Sequence, residues 1–305
     1  MTRTGWTIEN IPDQTGRTFV VTGANSGLGL ETTRALASRG ARVLMACRNV
    51  EHGRQVREAL SESITTGQIE VEQLDLGDLA TVENFADRLA ERWHSVDGLI
   101  NNAGVMALPK NATVDGFDRQ IGVNHLGHFA LTGRLLPLLR AGDGGRIVTV
   151  SSDMHRFGKM RFDDLHGEVR HRRWEAYAQS KLANLLFTYE LARKVTEAGA
   201  PLLSLAAHPG YADTNLQRQA ARFRGKNGRI WGAARLLAQS AADGALPQLR
   251  AATDPEALNG SYFGPAGRGR GPAVVTTSSR ASHDREAAAR LWEISSELTG
   301  VTYEL

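Results

Sequence analysis

Apolar residues cluster in short unbroken runs, separated by longer stretches in which they return every three or four positions. The runs at 18–21, 42–46, 69–74, 97–100, 146–150 and 202–206 predict strands buried on both faces. The intervening stretches predict helices, among them 51–62, 79–93 and 125–139, with Gly40 stopping the first. Strand and helix in regular alternation imply an α/β fold, a single doubly wound Rossmann-type domain over 1–305. Its parallel sheet has about seven strands flanked by helices, with the ligand beyond their carboxyl ends. In the C-terminal helix and tail, 281–305, Ser282 is the expected cap. Ala287, Leu291, Ile294 and Leu298 form one apolar stripe, read as core packing. The Gly/Arg-rich stretch 264–271 reads as a loop rather than a boundary.

Composition narrows the class. A chain of 305 residues, 41% of them hydrophobic, can bury a substantial core. A formal charge of +3 is too mild to argue for nucleic-acid binding. The single cysteine, Cys47, excludes internal disulfides and multi-cysteine metal sites and suits a reducing interior. No apolar run approaches the ~20 residues of a membrane span. The start, Met1-Thr2-Arg3-Thr4-Gly5-Trp6, lacks the apolar centre of a signal peptide. A soluble cytoplasmic protein is the expectation.

Candidate chemistry begins where the first strand meets the first helix, at Thr22-Gly23-Ala24-Asn25-Ser26-Gly27-Leu28-Gly29. Gly23 permits a tight turn, Gly27 lets the backbone approach a pyrophosphate, and Gly29 allows close helix–strand contact. The unpaired N–H groups of the helix start then face the phosphates. The second strand is followed by Ala46-Cys47-Arg48-Asn49. An acid there would bind the ribose 2′-hydroxyl, whereas a guanidinium accommodates a 2′-phosphate, so Arg48 points to NADP(H) over NAD(H).

Tyr177 and Lys181 stand four residues apart in a helical stretch, so both side chains project from one face. Separately, a tyrosine packs and a helix lysine is solvated. Together they suit proton transfer. A free phenol, with a pKa of about 10, exchanges protons poorly near neutrality. An ammonium at about 4 Å, at an effective dielectric of about 20, favours the phenolate by roughly 4 kcal/mol. The expectation is therefore a lowered phenol pKa.

With these residues placed, nearly the whole chain resembles the short-chain dehydrogenase/reductase family. Asp75 and Leu76 match the family's adenine contact, and Asn101 with Asn102, Ala103 and Gly104 its cofactor cleft. Asn124 in Val123-Asn124-His125 matches its structural-catalytic asparagine. His208, Pro209, Gly210 and Thr214 look like its nicotinamide-side loop. The stretches Asn124-His125-Leu126-Gly127-His128-Phe129, Ser151-Ser152-Asp153-Met154-His155-Arg156-Phe157 and Ser180-Lys181-Leu182-Ala183-Asn184 are similar to the branch of retinol dehydrogenases and the WW-domain-containing oxidoreductase.

The resemblance implies a reaction between a carbonyl compound or alcohol and NADP(H). Tyr177 would be the acid/base, Lys181 its modulator and the ligand of the nicotinamide ribose. Ser152, preferred to Ser151, would bind the reacting oxygen, and Asn124 would hold a water linking Lys181 to solvent. A homo-oligomer is a family-based expectation. A catalytically silent dinucleotide-binding regulator or scaffold is the alternative from another class.

Other features weigh less. His155, three residues from Ser152, would suit a hydrolase, but the Gly-x-Ser-x-Gly elbow is missing. The nine histidines show no credible metal set, His125 and His128 included, so no metal is expected. The insertion 153–174, with Arg170, His171, Arg172 and Arg173, is expected to be a solvated loop. Residues 209–235, with a basic stretch 218–229 and apolar Phe223, Ile230 and Trp231, are the expected substrate lid. A peripheral membrane contact is a weaker reading of the same stretch.

Overall fold

The computed structural model describes residues 5–142, 144–211, 239–267 and 269–305. Eight strands form one sheet in the order β3-β2-β1-β4-β5-β6-β7-β8. They are β1 Thr18–Thr22, β2 Arg42–Cys47, β3 Gln68–Gln73, β4 Gly98–Asn101, β5 Gly145–Val150, β6 Leu202–Ala207, β7 Tyr262–Pro265 and β8 Ala273–Val275. The first seven run parallel, and β8 pairs with β7 antiparallel. That closing strand goes beyond the expected parallel sheet. Its three residues are too short to read as a run, and they close one edge of the sheet.

The helices are α1 Gly27–Ala37, α2 Val50–Ser61, α3 Leu79–Arg92, the short α4 Arg119–Ile121, α5 Gly127–Ala141, α6 Arg173–Glu197, α7 Ala241–Thr253 and α8 Arg285–Thr299. They lie on both faces, as the side-chain alternation of β1 shows. Val20 packs on one side with Phe85 of α3, Phe129 of α5 and Phe187 of α6. Phe19 and Val21 pack on the other with Leu36 of α1, Leu60 of α2 and Leu249 of α7. Covering both faces is what lets the central strands be continuously apolar. β3, expected to be buried on both faces, is instead an edge strand with Glu70 and Glu72 and no fully buried residue.

Two local expectations are corrected. The helix expected from His125 is entered through a π-turn, Gly122–Leu126, that joins α4 to α5. Asp284, not Ser282, caps α8: its carboxylate accepts the N–H of Ala287 at 3.0 Å. Ser282 instead lies in a 3-10 turn, Arg280–His283, and donates to the Ser279 carbonyl. Leu291 and the partly buried Ala287, Ile294 and Leu298 pack against Leu182 and Leu186 of α6. The tail then returns across α5, where the Tyr303 hydroxyl donates to the Phe129 carbonyl at 2.7 Å.

The carboxyl ends of β1 to β6 open on one edge of the sheet. Consecutive strands step outward from β1 in one direction and then from β4 in the other, so the order reverses between them. Ligands of doubly wound sheets bind in the crevice at such a switch point.

Candidate active site

Each strand end carries one of the residues singled out from the sequence. Gly23 follows β1, Arg48 follows β2, and Asp75 and Leu76 follow β3. Asn102, Ala103 and Gly104 follow β4, Ser152 follows β5, and Pro209 and Gly210 follow β6. The basic stretch 218–229, the apolar Phe223, Ile230 and Trp231, Thr214 and all but the first residues of the lid stretch 209–235 lie outside the described residues.

The β1–α1 loop fits a dinucleotide diphosphate. Gly23 has φ +64°, a left-handed conformation that side chains rarely adopt. A Cβ on Gly29 would lie 2.5 Å from the Gly23 carbonyl and 2.6 Å from Asn102 Nδ2. Ser26 precedes α1, but its side chain makes no capping hydrogen bond, leaving the helix start with backbone donors for an anion. Asn25 and Leu28 complete the loop, both half-buried. Arg48 is exposed and has no hydrogen bond or ion pair among the described residues. Asp75 is half-buried, its carboxylate accepting the Gly77 N–H at 2.9 Å, and Leu76 is buried.

Thr22 joins the two halves of this edge, and nothing in the sequence singled it out. Its Oγ1 accepts the N–H groups of Asn102 and Ala103, both at 2.9 Å, and lies 2.9 Å from His128 Nε2. His128 Nδ1 meets the Asn124 carbonyl at 3.1 Å. A carbonyl only accepts, so Nδ1 carries the proton and Nε2 accepts from Thr22. Burial holds this ring neutral, lowering its pKa to about 3. The Asn124 side chain is fully engaged, accepting from Val105 N at 2.7 Å and donating to the Val105 carbonyl and Ser180 Oγ, each at 2.9 Å.

Tyr177, Lys181 and Asn124 are buried, and Ser152 is half-buried beside them. The Lys181 ammonium lies 5.9 Å from the Tyr177 ring centroid and donates to the Val150 carbonyl at 3.0 Å. Gly104 borders it: a Cβ there would lie 3.1 Å from Asn124 Oδ1 and 3.6 Å from Lys181 Nζ. The phenol pKa differs from the expectation. Burial pushes Tyr177 up to about 12, opposed only by a hydrogen bond with the Ser152 side chain. Burial likewise lowers Lys181 to about 8. Desolvation disfavours both charged forms, and it outweighs any ammonium–phenolate attraction.

Ser151 points elsewhere, its hydroxyl donating to the Lys181 carbonyl at 2.8 Å. His155 does not face the Ser152 hydroxyl, as a hydrolase base would. Its Nδ1 lies 2.6 Å from the Ser152 carbonyl instead. His125 is likewise structural, with Nε2 2.9 Å from Ser295 Oγ. Among the described residues no group of three or more histidines, cysteines or carboxylates could hold a metal ion.

In the insertion, Arg170 and Arg172 are exposed and share the Glu175 carboxylate, but the expected solvated loop holds only in part. His171 is largely buried with Nε2 3.2 Å from the Asp118 carboxylate, and Arg173 begins α6. A cavity of about 300 Å³ lies between this loop and the start of α6, lined by Glu175 and Gln179 among others. At about 100° per residue, that face of α6 is opposite the one bearing Tyr177 and Lys181.

The family model for short chain dehydrogenases matches residues 17–225. The chain belongs to that family. Within it the chain falls in the retinol dehydrogenase-like branch. It is 40% identical over 291 residues to retinol dehydrogenase 12 of Mus musculus, covering 95% of this chain and 88% of that relative. A crystal structure of an uncharacterized protein from Mycobacterium Paratuberculosis superposes with a TM-score of 0.83 at 45% identity, covering 99% of this chain and all of that one. A short chain dehydrogenase from Shigella flexneri 2a, solved in complex with NADP, gives a TM-score of 0.66 at 27% identity. That match covers 83% of this chain and 98% of the other.

As a short-chain dehydrogenase, the protein is an oxidoreductase of alcohols or carbonyl compounds that binds a nicotinamide dinucleotide. Among its described residues no helix is long and apolar enough to cross a membrane.

Proposed function

We propose that this short-chain dehydrogenase interconverts a carbonyl compound and its alcohol with NADP(H), using Tyr177 as general acid/base. The observation that carries the proposal is the buried Tyr177 phenol, close enough to the Ser152 hydroxyl at the open end of β5 for that group to oppose its raised pKa, and one helical turn from Lys181. Burial keeps the phenol protonated at neutral pH but makes it a weaker acid. Proton transfer to a carbonyl oxygen therefore relies on the positive charge of Lys181 to lower its pKa in the loaded site. Ser152 donates to the same oxygen as charge grows on it. Lys181 supplies positive charge behind the phenol and binds the ribose hydroxyls. Asn124, its side chain engaged with Val105 and Ser180, would help position a water leading from Lys181 to solvent.

The bound nicotinamide supplies or accepts the hydride. Gly23, Asn25, Ser26, Gly27, Leu28 and Gly29 would cradle the diphosphate, and Arg48 the 2′-phosphate. Asp75 and Leu76 would border the adenine, Asn102, Ala103 and Gly104 the central cleft, and Pro209 and Gly210 the nicotinamide side. The absence of an acid at 46–49 and the guanidinium of Arg48, without a partner among the described residues, favour NADP(H).

The direct test is a panel of aldehydes, ketones and alcohols followed by nicotinamide absorbance. Retinol and retinaldehyde belong in it because the relatives are named for retinol. Turnover of at least one compound, faster with NADP(H) than NAD(H), is expected. Dinucleotide binding with no turnover across the panel contradicts the proposal and leaves the silent scaffold in its place.

A further inference from the structure

His155 is fully buried and takes no part in the chemistry proposed above. It opens a short circuit of hydrogen bonds at the end of β5. The Ser152 carbonyl accepts two N–H groups from this one residue, the backbone amide at 2.9 Å and ring Nδ1 at 2.6 Å. On its far side the ring accepts the Ser279 backbone N–H at Nε2, at 3.0 Å. Both partners demand the same neutral tautomer. A carbonyl can only accept, so Nδ1 is protonated. An amide can only donate, so Nε2 is bare.

The ring is also held edge-on to Tyr262, with centroids 5.8 Å apart. Beside it, Arg156 donates to the Thr277 carbonyl at 2.6 Å, a second tie between the turn after β5 and the segment after β8. Ser278 anchors that segment to α6 through Tyr189, with hydroxyls 2.8 Å apart. The turn carrying Ser152 is therefore fixed from the carboxyl-terminal side of the chain.

We propose that His155 is the positioning residue for Ser152, its imidazole transmitting the backbone of Ser279 to the Ser152 carbonyl. This rests on the active-site role proposed for Ser152. Pinning that carbonyl sets the ψ of Ser152, now 153°, and with it where the hydroxyl stands relative to Tyr177. A misplacement of about 1 Å in a reacting group can cost about 100-fold in rate.

Two conservative variants separate the two ends of the ring. In His155→Asn the side-chain amide nitrogen takes the place of Nδ1 and can still donate to the Ser152 carbonyl. In His155→Gln the amide reaches the Nε2 position and serves Ser279 alone, while His155→Phe serves neither. The experiment measures kcat, KM for substrate and Tm for all three, alone and combined with Ser152→Ala. It also records the long-range ¹H–¹⁵N spectrum of His155 in the unmodified protein.

The expected result is an Nδ1–H tautomer and a kcat within about threefold of the parent for His155→Asn. His155→Gln and His155→Phe should fall by about 10- to 100-fold at similar KM, with no further loss when Ser152 is already alanine. An Nε2–H tautomer, equal kcat in the Asn and Gln variants, or losses that add fully to Ser152→Ala overturn the assignment. A Ser152→Ala variant of full activity instead removes the role of Ser152 itself, and this inference with it.

Discussion

Lys181 and Tyr177 share one face of α6, yet the ammonium, 5.9 Å from the ring centroid, donates to the Val150 carbonyl. Both groups are desolvated, so the lysine sits at about 8 and the phenol at about 12. Reduction needs the protonated phenol and the charged amine, and both are present at neutral pH. Carbonyl reduction should therefore be flat between about pH 6 and 7.5 and fall as Lys181 discharges above about pH 8. Alcohol oxidation, which needs the phenolate beside the charged amine, should climb with pH up to about 8 and level off above it. Parallel pH–rate profiles in the two directions check this.

The same lysine has a signature in stability. Its folded pKa of about 8 lies below the ordinary 10.5, so between those values the unfolded chain binds more protons. Stability should rise with pH in that window, relative to Lys181→Met. Urea midpoints of both proteins at several pH values decide it, and a falling difference is the contrary result.

Buried imidazoles act at the acid end, His208 among them. Burial lowers His125 and His128 to about 3 and His155 to about 4. Below about pH 6.5 the unfolded chain takes up protons that the folded chain refuses, and stability is lost as pH falls toward 4. Each group contributes up to about 1.4 kcal/mol per pH unit in that range. The His125→Gln variant should show a shallower decline in Tm between about pH 6.5 and pH 4.5.

Arg48 is exposed at the end of β2 and without a partner among the described residues. Loss of a bidentate, charge-assisted contact of about 1.5–3 kcal/mol should weaken NADPH binding by roughly 10- to 100-fold in Arg48→Ala. NADH binding should hardly change. Titration calorimetry with both nucleotides tests the assignment, and equal losses contradict it.

Gly29 tests the loop itself. A methyl there would meet the Gly23 carbonyl and the Asn102 amide at 2.5 and 2.6 Å, too close without backbone movement. Gly29→Ala should weaken binding of both dinucleotides by at least about tenfold, with a smaller change in Tm.

The central parallel strands were legible because continuous apolar runs admit little else in a covered sheet, whereas β3 at the edge alternates Ile69 and Val71 with Glu70 and Glu72 and is only partly buried. The catalytic candidates followed because each stands next to a strand end or at helical spacing. What escaped depends on depth and on distant partners. Tyr177 and Lys181 are four apart on one helix, but only tertiary packing reveals how far each is desolvated, and that reverses the sign of the phenol shift. The link from Thr22 to His128 spans 106 positions. β8 is three residues long and flanked by Gly271, Pro272 and two threonines, so it gives no pattern. Ser282 and Asp284 are both good caps, and the choice rests on where the preceding 3-10 turn ends.

The most direct measurement is the turnover of Tyr177→Phe, on a substrate found in the panel, in protein shown to keep its Tm and its affinity for NADPH. That substitution removes a single hydroxyl and leaves the ring against Trp174. If the phenol donates the proton, kcat falls by about 100- to 10,000-fold while dinucleotide binding is unchanged. Turnover within a few fold of the parent would contradict the assignment of Tyr177 as the acid/base.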